Sequence, residues 1–127
     1  MSEIWNPDTT PNFSAQEMAC KCGCNRADMK QAFMNRLQSI RDQYGPMIIT
    51  SGFRCENHPA EKSKKNPGAH AQGRAADIAV DNATQASKLH QFGNQIGMLG
   101  VGIATKQGFI HLDDGHDHAV RPATWGY

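Results

Sequence analysis

Residues 67–80 read PGAHAQGRAADIAV, and the fold turns on whether this stretch is helix or strand. As a helix it places His70 and Asp77, seven residues apart, on one face. Gly73 stands against that reading, because glycine weakens a helix interior. As a strand, residues 74–80 alternate Ala75, Asp77 and Ala79 against Ala76, Ile78 and Val80, which sends Asp77 to the face opposite Ile78. The expectation is therefore a loop through His70 that runs into a strand carrying Asp77. Gly68 and Gly73 let the backbone turn sharply around His70 with no Cβ in the way.

Upstream, MIITSGF (47–53) is a short β-branched run ending in Ser-Gly, which predicts a buried strand opening into a long loop over 54–73. Earlier still, Ser14 followed by Glu17 predicts a capping box, and Phe13 with Met18 has the spacing of a hydrophobic staple. That first helix is short, because a Cys-Gly-Cys stretch interrupts it. Met29, Phe33, Leu37, Ile40 and Tyr44 recur at three and four residues and predict a second helix over 28–44, ended by Gly45-Pro46. Downstream, a third helix is expected over 84–96, with Ala86, Leu89, Phe92 and Ile96 inward. VGIATKQGFIHLDD (101–114) then reads as a hairpin whose second strand sets Phe109, His111 and Asp113 against Ile110 and Leu112. The sum is an α+β domain: a small antiparallel sheet with helices on one side, and a candidate site on the sheet and the adjoining loop.

Composition narrows the function. The 127 residues, 39% hydrophobic, make one domain with one core, after an irregular lead-in over 1–12. Thirteen basic and twelve acidic residues leave a net charge of +1, so neither nucleic acid nor a membrane is expected as a partner. The lysines of EKSKKNPG (61–68) read as a solvated loop. No 18 apolar residues run together, and the N-terminus has neither a basic nor an apolar signal region. The expectation is a monomer made in the cytoplasm without a signal peptide.

Cys20, Cys22, Cys24 and Cys55 do not have zinc-finger spacing. A structural zinc, one disulfide with two thiols, and four reduced thiols all stay open. We expect the four to come together and brace the first helix against the loop after Arg54. Among six histidines, His90 has no polar partner at useful spacing, and His116 and His118 fall in a polar loop, DDGHDHAV. His70, Asp77 and His111 differ, since each stands where a site is easily built. Two neutral imidazoles and a carboxylate make a three-ligand zinc site with a fourth position open, the pattern of catalytic zinc, which activates water and polarises a carbonyl.

SGFRC (51–55), HAQGRAADI (70–78), FIHLD (109–113) and the closing RPATWGY, with NFSAQEMACKCGC (12–24) ahead of them, resemble the zinc DD-peptidase family. That family includes D-alanyl-D-alanine carboxypeptidases and phage endolysins that cut peptidoglycan stem peptides. The resemblance runs from about Phe13 to Tyr127. It implies that His70, Asp77 and His111 hold the zinc. It implies too that Arg54 faces the substrate, where its planar fork suits a peptide carboxylate; a structural bond to the His70 loop is the alternative for that arginine. Ser51 matches the family's loop serine and is equally a turn former. His58 is read as fixing the loop or supporting a ligand.

One departure stands out. Several family members carry the acid–base carboxylate three residues before the last zinc histidine, and that position is Gly108 here. Asp113, on the strand face of His111, is the candidate general base, with orientation of a ligand histidine as its alternative role. The expected function is a phage-type zinc peptidase of peptidoglycan stem peptides or cross-links, of carboxypeptidase or endopeptidase type. It acts on the wall after release, or from a virion. The alternative is a non-catalytic structural or wall-binding module of the same fold.

Overall fold

The computed structural model describes residues 4–65, 68–115 and 120–127; His116 and His118 lie outside the described residues. The capping box forms as expected. Ser14 Oγ accepts from the Glu17 amide, and Glu17 Oε1 accepts from the Ser14 amide at 2.8 Å, which fixes the one-turn helix α1 (Ala15–Met18). Phe13 and Met18 are both buried, completing the staple.

Helix α2 spans Gln31–Tyr44 and begins three residues later than its periodicity predicts. Residues 28–30 have other backbone partners: Trp5 N donates to Met29 O at 3.0 Å, and Lys30 N donates to Gly73 O at 2.9 Å. Phe33, Met34, Leu37 and Ile40 are its buried face. Helix α3 (Ala83–Gln95) starts at Asn82, whose Oδ1 accepts from the Gln85 amide at 2.9 Å.

The strands are β1 (Ile49–Ser51), β2 (Ala75–Ala79), β3 (Gly100–Ala104), β4 (Phe109–Asp113) and β5 (Ala123–Gly126), in the order β1-β2-β4-β3-β5. All neighbours are antiparallel except β3 and β5. The α+β, mostly antiparallel fold agrees with expectation, and β5 is the addition to it. Residues 68–80 form a turn around His70 followed by strand.

Alternation then sorts the sheet into two faces. Ala76, Ile78, Val101, Ile110 and Leu112 join Phe33, Leu37, Ile40, Ala86 and Leu89 in one apolar cluster, so the helices cover that face. On the other face, one row crosses all five described strands. Ser51 pairs with Asp77, Asp77 with His111, His111 with Gly102, and Gly102 with Trp125. Among the described residues, no helix is long and apolar enough to cross a membrane.

Gly73 has φ of 71°, and a Cβ there would overlap the Asp28 carbonyl and come within 2.8 Å of Met29 Cα. It is where the His70 turn rests on the lead-in to α2. Gly73→Ala should lower the unfolding free energy by more than the ~1–2 kcal/mol that the left-handed conformation alone costs an L-residue. Urea unfolding measures this, and a wild-type midpoint would show that the turn is not pinned here.

Candidate metal centre

Cross-strand pairing sets Asp77 on β2 directly beside His111 on β4. His70 arrives from the turn that precedes β2, and that turn is laced to the segment leaving β1: Arg54 N donates to His70 O at 3.2 Å. All three side chains are buried. Their facing atoms form a nearly equilateral triangle: His70 Nε2 to Asp77 Oδ1 at 3.2 Å, His111 Nδ1 to Asp77 Oδ1 at 3.1 Å, and His70 Nε2 to His111 Nδ1 at 3.2 Å. Tetrahedral zinc with bonds of about 2.0–2.1 Å to nitrogen and oxygen has ligand–ligand edges of about 3.3–3.4 Å. The triangle is within about 0.3 Å of that size.

The outer atoms of the ligands settle what faces inward. His70 Nδ1 lies 2.7 Å from the Gly52 carbonyl, which can only accept, so the ring carries its proton there. His111 Nε2 lies 2.6 Å from Asp113 Oδ2, a carboxylate that also accepts from Arg121 Nε at 2.8 Å and Nη2 at 2.7 Å. That ring too carries its proton on the outer nitrogen. In the neutral tautomers, three lone pairs therefore converge with no proton between them, an arrangement that repels itself until a cation enters. The donor set fits a divalent metal, held by His70 Nε2, Asp77 Oδ1 and His111 Nδ1.

Charge follows the same geometry. Burial works to raise the Asp77 pKa, but the bonds from His111 and His70 outweigh it and hold the carboxyl well below the usual range. Burial dominates at His70 and lowers its pKa. At His111 burial pulls the same way, yet the bonds to Asp113 and then Asp77 win, and its pKa is raised. Without metal, a proton on His111 Nδ1 is what relieves the triangle.

Arg54 Nη2 donates to Asp77 Oδ2 at 3.3 Å and its Nε donates to Ser51 Oγ at 3.2 Å. Arg54 thus holds the ligand carboxylate's outer oxygen, and Ser51 holds Arg54. Asp113 is fully buried, with Oδ1 accepting also from Gly115 N at 2.9 Å. It stands across the His111 ring from the ligand triangle. Asp114 is engaged by Arg74 at 2.8 Å and Arg36 at 3.4 Å. His58 Nδ1 accepts from the Ala60 amide at 3.0 Å within its own turn. Gly108 has φ of 87° and ends the 3-10 turn Thr105–Gln107.

Sequence reasoning gave no role to Arg121, Trp125 or Glu61. Trp125 packs against His111 with ring centroids 5.2 Å apart, in space that Gly102 leaves, since a Cβ there would stand 2.6 Å from Trp125 Nε1. Glu61 lines a cleft shared with His70, Asp77, His111 and Trp125, bonded to Lys64 at 2.8 Å and to the Gly68 amide at 3.0 Å. RPATWGY offered the first two as part of the resemblance; nothing in the lysine-rich loop distinguished Glu61 from a solvated carboxylate.

The four cysteines do come together, as expected. The chain matches the peptidase M15 family over residues 11–113. It belongs to that family, whose members are zinc-dependent hydrolases of peptide bonds. No curated protein matches the sequence.

Zinc has to displace the proton from His111 Nδ1, so its affinity should rise with pH through and above the ordinary histidine value of 6.5 and then level off. Asp113→Asn removes the strongest support for that proton, so the profile should move to lower pH while the plateau affinity falls about ten- to a hundredfold. Zinc titration against a competing chelator at several pH values reads both, and an unmoved profile contradicts the assigned contact.

Proposed function

We propose that the protein is a zinc peptidase acting on peptide bonds of bacterial peptidoglycan, in stem peptides or cross-links, as a monomer of phage endolysin type. The observation that carries this reading is the triangle of inward lone pairs at the base of a cleft of about 290 Å³. Zinc bound there supplies a Lewis acid and lowers the pKa of water toward about 7. Arg54, Lys64 and Arg121 line the cleft with Glu61, Asp77 and Asp113, so its side-chain charges cancel and the ion leaves it positive. That favours a peptide bearing a carboxylate beside the scissile bond, as wall stem peptides do. Phe109, Trp125 and Tyr127 supply apolar walls that orient a short peptide and exclude water.

In this reading Asp113 orients His111 rather than taking a proton from the reacting water. Its oxygens are saturated by Arg121, Gly115 and His111, and it stands on the far side of the ring. Arg54 positions Asp77 and offers its remaining edge to substrate. A second reading, a wall-binding or structural module that keeps zinc but does not cleave, is favoured by Gly108 where relatives carry the acid–base carboxylate.

Purified peptidoglycan distinguishes the two. The zinc-loaded protein should release new amino groups, lose that activity to a chelator and regain it with zinc, and mass spectrometry of the fragments then names the bond. Sedimentation with peptidoglycan and no amine release supports the binding module. Neither binding nor release contradicts a wall substrate.

A further inference from the structure

The cysteines occupy two segments that the fold docks together. Cys20, Cys22 and Cys24 lie in the turn after α1, and Cys55 lies just beyond Arg54. Their four sulfurs fall within 4.8 Å of one another, with Cys20 Sγ 3.7 Å and Cys22 Sγ 3.2 Å from Cys55 Sγ. None is in a disulfide. Zinc–thiolate bonds of about 2.3 Å give a tetrahedron with edges of about 3.8 Å, close to the Cys20–Cys55 separation and reached from the rest by small side-chain rotations.

The one-residue gaps in CKCGC are the obvious obstacle, since extended residues two apart hold their side chains about 6–7 Å apart. The backbone removes it. Gly23 has φ of 95° and Asn25 has φ of 61°, and Cys20 N donates to Arg26 O at 2.8 Å, closing residues 20–26 into a tight turn that gathers the sulfurs. Cys55 N also donates to Cys20 Sγ at 3.3 Å, a contact that favours a thiolate. Cys20 and Cys55 are buried while Cys22 and Cys24 are exposed, so the cluster opens to solvent on one side and an ion can enter.

We propose that Cys20, Cys22, Cys24 and Cys55 bind one structural zinc ion as a tetrathiolate. On binding, Zn²⁺ takes the place of the thiol protons, which pass to solvent, and no oxidation occurs. The site is closed, with four protein ligands and no open position, so its role is to hold structure. What it holds is next to the first metal centre. Phe53 N donates to Met18 O at 2.9 Å, and a Cβ on Gly52 would stand 2.7 Å from that oxygen. The cysteine turn and the Gly52–Cys55 segment are therefore one docked unit, whose Gly52 carbonyl orients His70 and whose Arg54 holds Asp77. Loss of the structural ion should loosen the support of two ligands of the other ion.

Metal content and cobalt spectra of the full chain test this. The wild type should hold two zinc ions per chain, and H70A/H111A should keep one. Cys22→Ser with Cys24→Ser should also keep one, at the histidine site. Cobalt in the wild type and in H70A/H111A should give intense sulfur-to-metal charge-transfer bands that the cysteine variant lacks. If the cysteine variant does not fold, alkylation of the wild type decides: all four thiols should be protected until a chelator is added. Zinc falling to none in H70A/H111A, cobalt bands without sulfur character, or an intact mass lower by the hydrogens of a disulfide would overturn the proposal. Failure of the peptidase centre is read separately, as absence of zinc from the folded cysteine variant.

Discussion

Three lone pairs aimed at one point organise this protein. His70 Nε2, Asp77 Oδ1 and His111 Nδ1 stand 3.1–3.2 Å apart because each ligand is gripped from behind by a partner that fixes which atom faces inward. With neither a proton nor a cation between them these atoms repel, and burial removes the water that could screen them. The fold must therefore supply both the cation site and the force that keeps it open. The hydrogen bonds at Gly52, Arg54 and Asp113 do this, and each can be traced to a definite element.

The support comes from two directions. On the sheet, a row from Ser51 through Asp77, His111 and Gly102 to Trp125 fixes two ligands by backbone pairing, so their spacing is as rigid as the ladder. Behind that row, Gly100 leaves room for the Asp113 carboxylate and Arg121, both of which a Cβ would overlap. Off the sheet, His70 depends on a turn held between the lead-in to α2 and the segment after β1. That arrangement is less rigid than a ladder. The cysteine turn docks on the same segment, where Phe53 N donates to Met18 O at 2.9 Å.

Much of this was legible in the sequence because it rests on short-range patterns. Alternation over 74–80 and 109–113 put Asp77 and His111 on one sheet face, and the Ser14–Glu17 box marked α1. The later start of α2 was not legible, since the bonds that keep residues 28–30 extended come from Trp5 and Gly73, distant in the chain. Strand β5 was missed because its parallel pairing with β3 needs a partner that local periodicity does not reveal. The role of Asp113 stayed open for a similar reason. Spacing placed it on the face of His111, but only Arg121 and the direction of the imidazole ring show which nitrogen it touches. The cysteines were ambiguous because one-residue gaps look too tight until Gly23 and Asn25 are seen in left-handed backbone.

Anomalous scattering at the zinc edge from crystals of the zinc-loaded protein locates the ion against these three atoms. A peak is expected bonded to His70 Nε2, Asp77 Oδ1 and His111 Nδ1 at about 2.0–2.1 Å, with His111 Nε2 still on Asp113. A fully loaded crystal with no peak between these residues, or with zinc on His111 Nε2, would contradict it.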